Sequence, residues 1–417
     1  MFDLDKWYEI YHSIVKHKLR TVLTSFGVFW GILMLVLLLG AGKGLENGIR
    51  NAFAGYSNKS FYMGSNKTSI VYKGMKIGRT IEPTIYDLKV IKKSFPEIEA
   101  ISPKQGLWGE NSITYKTKNA SFNVQGIYPD WKKIEDIIII EGRYINDIDI
   151  KENRKVVVIG LHVKDFFFGK DESAIGKYLN IKGVFFKIVG VMKPIKSGWS
   201  AKEEIQTLWM PYTTMQVTFN QQNKVYFWGS VVTKEANSEN VIKQVRSLLA
   251  QKHSFDANDD KAVWSWSMET ESNMFNGLFG AINLFVWVVG IGTIIAGIVG
   301  VSNIMLISVK ERTKEIGLRK ALGATTSSIV FLVVQEAIIL TTISGYSGLL
   351  IGVGIIEGIN LLLNNALEPN PFFQRPEVQF SVAISALILL VISGTLAGLI
   401  PAVHAAKISP IEALRDE

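Results

Sequence analysis

The residue types that carry out catalysis are present but are not arranged for it. The five histidines are scattered, and none forms the H-E-x-x-H pair of a zinc site. There is no cysteine, no G-x-S-x-G nucleophile elbow and no G-x-x-x-x-G-K-[ST] phosphate-binding loop. The sequence therefore predicts no enzyme activity, metal site or cofactor of its own. The histidines are His12, His17, His162, His253 and His404.

Two pairs of adjacent carboxylates are the remaining candidates for acid–base chemistry. These are Glu203 with Glu204, and Asp259 with Asp260. Both pairs lie in polar segments without a histidine or a nucleophile beside them, which is typical of a solvated surface. We therefore interpret all four as surface carboxylates.

One short segment concentrates charge between long apolar runs. At helical spacing it forms an amphipathic helix rich in ion pairs, with Ile316 and Leu318 placed to enter an apolar groove on a partner. Gly323 is placed to end this helix in the left-handed conformation. The charges alone are equally well explained as a positive-inside loop that fixes membrane topology. The segment contains Lys310, Glu311, Arg312, Lys314, Glu315, Ile316, Gly317, Leu318, Arg319 and Lys320.

Four apolar runs are long enough to cross a bilayer, which takes about 20 residues in helix. The first is too long for the apolar core of a cleaved signal peptide, so we expect it to stay as a membrane anchor. The predicted fold is therefore an integral membrane protein with four transmembrane helices. The predicted spans are residues 21–42, 278–309, 327–362 and 378–403.

Lysine and arginine in the short flanking segments predict the orientation. They cluster before the first span, in residues 310–326 and in the tail 404–417, whereas the loop 363–377 has one arginine against two glutamates. Positive residues stay cytoplasmic, so both termini are predicted inside and residues 43–277 outside. We therefore interpret the net charge of +8 as favouring contact with an anionic membrane surface rather than binding to nucleic acid. Residues 1–20 have Trp7, Tyr8 and Tyr11 at helical spacing and predict an interfacial helix.

The predicted outer region, residues 43–277, reads as an α+β domain on helical stalks, in one or two lobes. Residues 43–55 and 259–277 are polar continuations of the first and second membrane helices. Thr84 is placed to cap a helix over residues 84–93, and residues 241–252 have the spacing of an amphipathic helix. Strands are predicted from alternating or apolar runs at residues 121–127, 155–159, 185–191 and 225–232.

Two carboxylates, Glu336 and Glu357, fall within the third span. A charge in the bilayer centre is costly, so each is either a proton relay or a group that faces the helix bundle or water. No basic residue within the spans pairs with them, which favours the second interpretation. Glycines along the second and third spans allow close helix packing and are consistent with a dimer.

Residues 300–324, GVSNIMLISVKERTKEIGLRKALGA, resemble the MacB and FtsX permease superfamily of ABC transporters. The resemblance extends over most of the chain, including HKLRTVLTSFGVFWGI from His17 and the ending PAVHAAKISPIEALRDE. It implies that residues 310–320 dock on an ATPase. Because no phosphate-binding loop is present, it also implies a separate ABC ATPase subunit that binds ATP and Mg²⁺.

The resemblance implies a dimer of identical or different permease chains in a bacterial inner membrane, exporting drugs, peptides or other substrates. A periplasmic adaptor and an outer-membrane channel are implied partners in the MacB-like group. Alternatives within the superfamily are a lipoprotein-extracting permease and a regulator of a cell-wall hydrolase. An alternative from another class is a membrane sensor or scaffold without a motor.

Overall fold

The computed structural model describes residues 18–107, 109–195, 199–221, 223–366, 370, 372–378 and 380–409. Most of the predicted interfacial helix (residues 1–17) and the end of the tail (residues 410–417) lie outside the described residues. The chain divides into two compact units. One, the helical unit, comprises residues 1–49 and 278–417, and the other, the α+β unit, comprises residues 50–277.

In chain order, the helices are α1 (Lys18–Ala52), α2 (Ile85–Ser94), α3 (Trp131–Ile134), α4 (Asp147–Lys151), α5 (Leu161–Phe168), α6 (Trp199–Ile205), α7 (Tyr212–Thr218), α8 (Ser238–His253), α9 (Met268–Glu311), α10 (Thr313–Ala321), α11 (Thr326–Asn364) and α12 (Phe380–Ala406). The strands are β1 (Ser60–Ser65), β2 (Ile98–Gly106), β3 (Ser112–Tyr115), β4 (Lys118–Ser121), β5 (Asn123–Ile127), β6 (Ile137–Gly142), β7 (Val156–Gly160), β8 (Tyr178–Ile181), β9 (Val184–Pro194), β10 (Thr207–Pro211), β11 (Phe227–Val232) and β12 (Val263–Ser267).

Four helices among the described residues are long and apolar enough to cross a membrane. Their qualifying stretches are Ser25–Ala52, Met268–Glu311, Thr326–Asn364 and Ile384–Ala406, of 28, 44, 39 and 23 residues. The predicted count of four is confirmed. α1 runs to Ala52, as its polar continuation predicts. The continuation before the second span begins only at Met268, because Val263–Ser267 alternates and pairs with β1 as a strand.

Glycines bring the long helices of the helical unit close together. A Cβ on Gly394 of α12 would lie 2.2 Å from the hydroxyl of Thr341 on α11. A Cβ on Gly348 of α11 would lie 2.5 Å from the carbonyl oxygen of Phe29 on α1. Neither contact leaves room for a side chain, so these glycines set the separation of the helices.

A twelve-stranded sheet forms the frame of the α+β unit. Its strand order is β12-β1-β11-β2-β5-β10-β7-β9-β8-β3-β4, with β6 beside β9. β2 joins the two halves, because it pairs with β11 up to Pro103 and with β5 from Lys104 onward. Separate apolar cores lie against each half, and a third contains residues from strands of both halves. The four predicted strands are confirmed as β5, β7, β9 and β11.

Side-chain caps define the two helices predicted in this unit. Thr84 and Asp87 form a reciprocal capping box at the start of α2, as the position of Thr84 indicated. α8 buries Val241, Val245 and Leu249 on the face that the periodicity predicts. Both predictions are confirmed. The caps and the apolar spacing are local features, and the apolar face that they predict is the face that is buried.

The interpretation of the paired carboxylates as solvated is wrong for two of the four. Glu203 and Asp260 are exposed, but Glu204 is buried and Asp259 is only 1% exposed. Asp259 accepts hydrogen bonds from the backbone N–H groups of Ser69 (2.6 Å) and Ile70 (2.9 Å). It stabilises a loop from 190 residues earlier in the chain, a contact that adjacency in sequence does not reveal.

Candidate coupling site

α10 is a short helix that lies between two of the membrane helices. A single residue, Arg312, separates the end of α9 at Glu311 from the start of α10 at Thr313. The N–H of Arg312 still bonds to the carbonyl of Ser308 (3.2 Å), and the N–H of Ile316 bonds to the carbonyl of Arg312 (3.0 Å). The backbone of Arg312 thus bonds to α9 through its N–H and to α10 through its carbonyl, so this one residue joins the two helices.

The other end of α10 is closed by a Schellman motif. Gly323 has φ 99°, the left-handed conformation predicted for it. The N–H of Ala324 bonds to the carbonyl of Arg319 (3.0 Å), and the N–H of Gly323 bonds to the carbonyl of Lys320 (3.1 Å). The Thr325 side chain then caps α11 through the N–H of Ser328. The turn between α10 and α11 is therefore short and fully specified by its hydrogen bonds.

One face of α10 is buried in the helical unit. Ile316 is 6% exposed and belongs to the apolar core that includes Val309, Ile329 and Val333. Gly317 is buried beside it. The expectation that Ile316 enters a groove on a partner is therefore wrong, because this side chain is used to attach α10 to the membrane helices.

Arg312 connects the α9–α10 junction to α11. Its Nη1 lies 3.3 Å from a carboxylate oxygen of Glu336, which is 7% exposed. Glu336 thus faces the bundle, and a basic group from outside the predicted spans pairs with it. Both residues line a cleft whose other walls are largely apolar. The apolar lining residues are Met305, Val309, Ile316, Ile329, Leu332 and Val333.

Lys320 connects α10 to the end of α12. Its ammonium group donates hydrogen bonds to the carbonyl oxygens of Ala406 (2.5 Å) and Ile408 (2.9 Å). Carbonyls at a helix C-terminus have no partner within the helix, and a cation there is favourable. Lys320, predicted as part of a docking surface, therefore also has an internal structural contact.

The opposite face of α10 is exposed to solvent. Leu318 is 51% exposed and Leu322, one helical turn later, is 80% exposed. Arg319 donates a hydrogen bond to the exposed carboxylate of Glu315 across one turn (2.7 Å). The exposed charged residues around the two leucines are Lys310, Glu311, Lys314 and Glu315. The outer face of α10 is our name for a set of six residues: Lys310 and Glu311 at the end of α9, Lys314, Glu315 and Leu318 on α10, and Leu322 just after it.

Two residues of this site were not assigned to it from the sequence. Leu322 lies four residues after Leu318, so the i, i+4 spacing was a usable signal for a shared face. Glu336 gave no such signal, because it is 24 residues from Arg312 and the whole of α10 lies between them in the chain. Within the described residues, no three His, Asp or Glu side chains are placed together to hold a metal.

The comparisons with known proteins identify two families along the chain. Residues 21–248 match the MacB-like periplasmic core domain, and residues 287–410 match the FtsX-like permease C-terminal region. The second match contains the whole of α10. The chain is also 30% identical over 429 residues to the uncharacterized ABC transporter permease YvrN of Bacillus subtilis, covering 98% of each protein.

Two further matches are partial. One covers only part of the relative, and the other covers only part of this chain. The macrolide export ATP-binding/permease protein MacB of Neisseria gonorrhoeae is 27% identical over 412 residues. That alignment covers 97% of this chain, which spans 60% of the length of the relative. The chain also matches the solved periplasmic region of MacB from Actinobacillus actinomycetemcomitans. The match covers 56% of this chain and 98% of the solved chain, with 17% sequence identity and a TM-score of 0.44.

The periplasmic core domain match alone covers more than half of the chain, and the YvrN relative spans it almost completely. The chain belongs to the family of MacB-like, FtsX-type ABC transporter permeases.

Proposed function

We propose that this permease receives mechanical work from a cytoplasmic ABC ATPase through α10 and passes it to the α+β unit. The observation that carries the proposal is the attachment of α10 to three membrane helices. It joins α9 through Arg312, contacts α11 through the Arg312–Glu336 pair and contacts α12 through Lys320. A force on its outer face then acts on all three helices together.

The proposed contact for the ATPase is the outer face of α10. Leu318 and Leu322 supply exposed apolar area at the centre, and charged residues of both signs surround them. An apolar centre with a charged rim is the usual anatomy of a specific protein interface. The Glu315–Arg319 pair lies at the edge of this face and keeps both side chains in a defined geometry. Both termini and α10 are proposed to be cytoplasmic, as the lysine and arginine distribution indicates.

ATP and Mg²⁺ are proposed to bind to an ATPase carried by a separate polypeptide. The match to YvrN, a protein called a permease and covered over 98% of its length, supports this arrangement. Two permease chains, identical or different, are proposed to form the transporter. Exposed apolar side chains along α9, such as Leu284, Phe285 and Val288, provide area for lipid or a second chain.

The proposed activity is export of drugs, peptides or similar substrates. It rests on the family and on relatives such as MacB of Neisseria gonorrhoeae, which is named for macrolide export. A periplasmic adaptor and an outer-membrane channel are proposed as further partners on the same basis. The membrane helices are proposed to transmit movement rather than to enclose a wide pore.

Purification of the tagged chain in mild detergent, with mass spectrometry and an ATPase assay, tests the proposal. We expect an ABC ATPase to co-purify. Replacement of Glu315 and Arg319 by alanine is expected to remove its stimulation while membrane insertion remains normal. The double variant Asp130→Ala with Lys133→Ala in the α+β unit serves as a control for the loss of an exposed ion pair within one helical turn.

The other outcomes distinguish the alternatives. Recovery of the folded chain without any ATPase would favour a membrane scaffold without a motor. Recovery of an ATPase together with a lipoprotein carrier or a cell-wall hydrolase would favour one of the other roles in the superfamily. Unchanged stimulation after loss of Glu315 and Arg319 would contradict their proposed part in coupling.

A further inference from the structure

The loop between α11 and α12 lies against the first membrane helix. Residues 372–376, which we call the latch loop, contact α1 along one face, beside Gly44 and Gly48. These glycines are one helical turn apart and therefore lie on the same side of α1. The sequence predicted a short loop over residues 363–377 and did not indicate which element it contacts.

Both glycines are needed for this approach. A Cβ on Gly48 would lie 2.2 Å from the carbonyl carbon and oxygen of Phe372. A Cβ on Gly44 would lie 2.8 Å from the ring of Phe373 and 3.0 Å from Pro376. Glycine weakens a helix interior, so its presence at two positions on one face has a structural reason in the loop that covers them.

Hydrogen bonds fix the latch loop to α1. The N–H of Gln374 donates to the carbonyl of Gly44 (3.0 Å). The side-chain amide of Asn47 donates to the carbonyl of Arg375 (3.0 Å). Arg375 has φ 43°, which is unusual for a residue with a side chain. Its backbone is held in this conformation at the position where α1 contacts the loop.

A further hydrogen bond fixes the latch loop to α11. The side-chain amide of Asn360 donates to the carbonyl of Pro376 (2.8 Å). α12 begins only four residues after Pro376, at Phe380. The loop is therefore attached to α11 by a hydrogen bond, to α12 by the chain and to α1 by its packing.

We propose that the latch loop ties α11 and α12 to α1 and passes their displacement to the segment of α1 that leads into the α+β unit. The inference rests on the proposed function, because it needs α10 to move these helices. It adds a second transmission point at the opposite ends of α11 and α12. Gly44, Asn47, Gly48 and Asn360 are then positioning residues for coupling, without contact to nucleotide or substrate.

The absence of cysteine from the chain allows a direct test in the full transporter. A single cysteine at the exposed Asn58, just after α1, reports on movement there. Its labelling rate by a membrane-impermeant maleimide is measured with the permease and its ATPase together, with and without ATP and vanadate. In the otherwise unchanged chain we expect the nucleotide to change this rate.

Two kinds of variant separate the latch loop from the rest of the machinery. Gly48→Ala displaces the loop, and Asn47→Ala with Asn360→Ala removes its amide contacts without a steric clash. The matched control is Gly42→Ala in the same helix, where a Cβ finds only Ile282 at 3.8 Å, an ordinary contact. We expect both latch variants to bind the ATPase and hydrolyse ATP but to lose the nucleotide-dependent change in labelling.

The double variant Asn47→Cys with Arg375→Cys tests the contact between the latch loop and α1 directly. We expect oxidation to cross-link the pair in membranes and to leave the nucleotide response intact. The inference would be overturned if no cross-link formed, or if the cross-link abolished the nucleotide-dependent change in labelling. A normal change in labelling in both latch variants would also overturn it. No nucleotide response in the unchanged chain would instead contradict the proposed function.

Discussion

Arg312 and Glu336 lie side by side, with a guanidinium nitrogen 3.3 Å from a carboxylate oxygen, although 24 residues separate them in the chain. Glu336 is on α11 and is buried, whereas Arg312 lies at the junction of α9 and α10. A carboxylate in an apolar helix bundle is costly unless a positive group is beside it. The pair therefore stabilises Glu336 and fixes α10 to α11 at once.

Removal of the guanidinium is expected to weaken this attachment. Because Arg312 is partly exposed, we expect Arg312→Met to destabilise the α10–α11 contact by about 1–3 kcal/mol rather than by the larger amounts seen for fully buried pairs. ATPase stimulation should fall while membrane insertion is kept. Glu357→Gln, which changes an exposed carboxylate on the same helix, is the control. Partial recovery in the exchanged pair Arg312→Glu with Glu336→Arg would identify the ion pair as the cause.

The two faces of α10 are expected to respond differently to the same substitution. Leu318→Ser changes an exposed side chain, so it should reduce ATPase co-purification with little effect on thermal stability. Ile316→Ser places a hydroxyl in a buried apolar site and should cost about 2–4 kcal/mol of stability. Thermal unfolding and ATPase recovery measured on both variants separate these effects. Equal loss of stability in the two would contradict the assignment of faces.

Lys320 is expected to stabilise the last turn of α12. Lys320→Met removes the cation from the carbonyls of Ala406 and Ile408, at a cost of about 0.5–2 kcal/mol. Amide hydrogen exchange in the last turn of α12 should then be faster, while exchange in the middle of α12 should be unchanged. Lys320→Arg keeps the positive charge and should show a smaller effect. Identical exchange in all three proteins would show that the contact contributes nothing.

Asp259 is expected to make the stability of the α+β unit depend on pH. Burial alone would raise the pKa of Asp259, but the hydrogen bonds from Ser69, Ile70 and Ala262 outweigh it and lower the pKa below the usual aspartate value. A lowered folded-state pKa gives stability that is present above the unfolded pKa, about 4. That stability is lost as the pH falls through the folded-state value.

Thermal melting of the full chain and of Asp259→Asn across a pH series measures this dependence. At pH 7 the unchanged chain should be the more stable, and the difference should shrink as the pH falls below about 4. Asp171→Asn, at an exposed position in the same unit, is the control. A difference between Asp259→Asn and the unchanged chain that stays constant down to acidic pH would argue against this role for the carboxylate.

Gly394 is expected to be essential for the packing of α11 on α12. An alanine there would place a Cβ 2.2 Å from the Thr341 hydroxyl, so the helices must separate or Thr341 must turn. We expect Gly394→Ala to destabilise the helical unit by about 1–3 kcal/mol. Gly354→Ala on α11 has no neighbour within 4 Å in this chain and should be neutral or slightly stabilising. Equal melting temperatures for the two variants would contradict this packing role.

The sequence alone determined the features that depend on local pattern. Uncharged runs of sufficient length predict the four membrane helices, and alternating apolar runs predict β5, β7, β9 and β11. Thr84 and Gly323 are placed correctly because helix caps depend on residues within one turn. The motif around α10 predicted the family, since it is read directly from consecutive residues.

Only the tertiary structure decided which side chains of these elements meet. The burial of Asp259, the inward position of Ile316 and the pairing of Glu336 with Arg312 depend on contacts between segments far apart in the chain. The docking of the latch loop on Gly44 and Gly48 is of the same kind. Local propensity and periodicity specify an element and its faces, but the partner of each face is set by the packing of several elements at once.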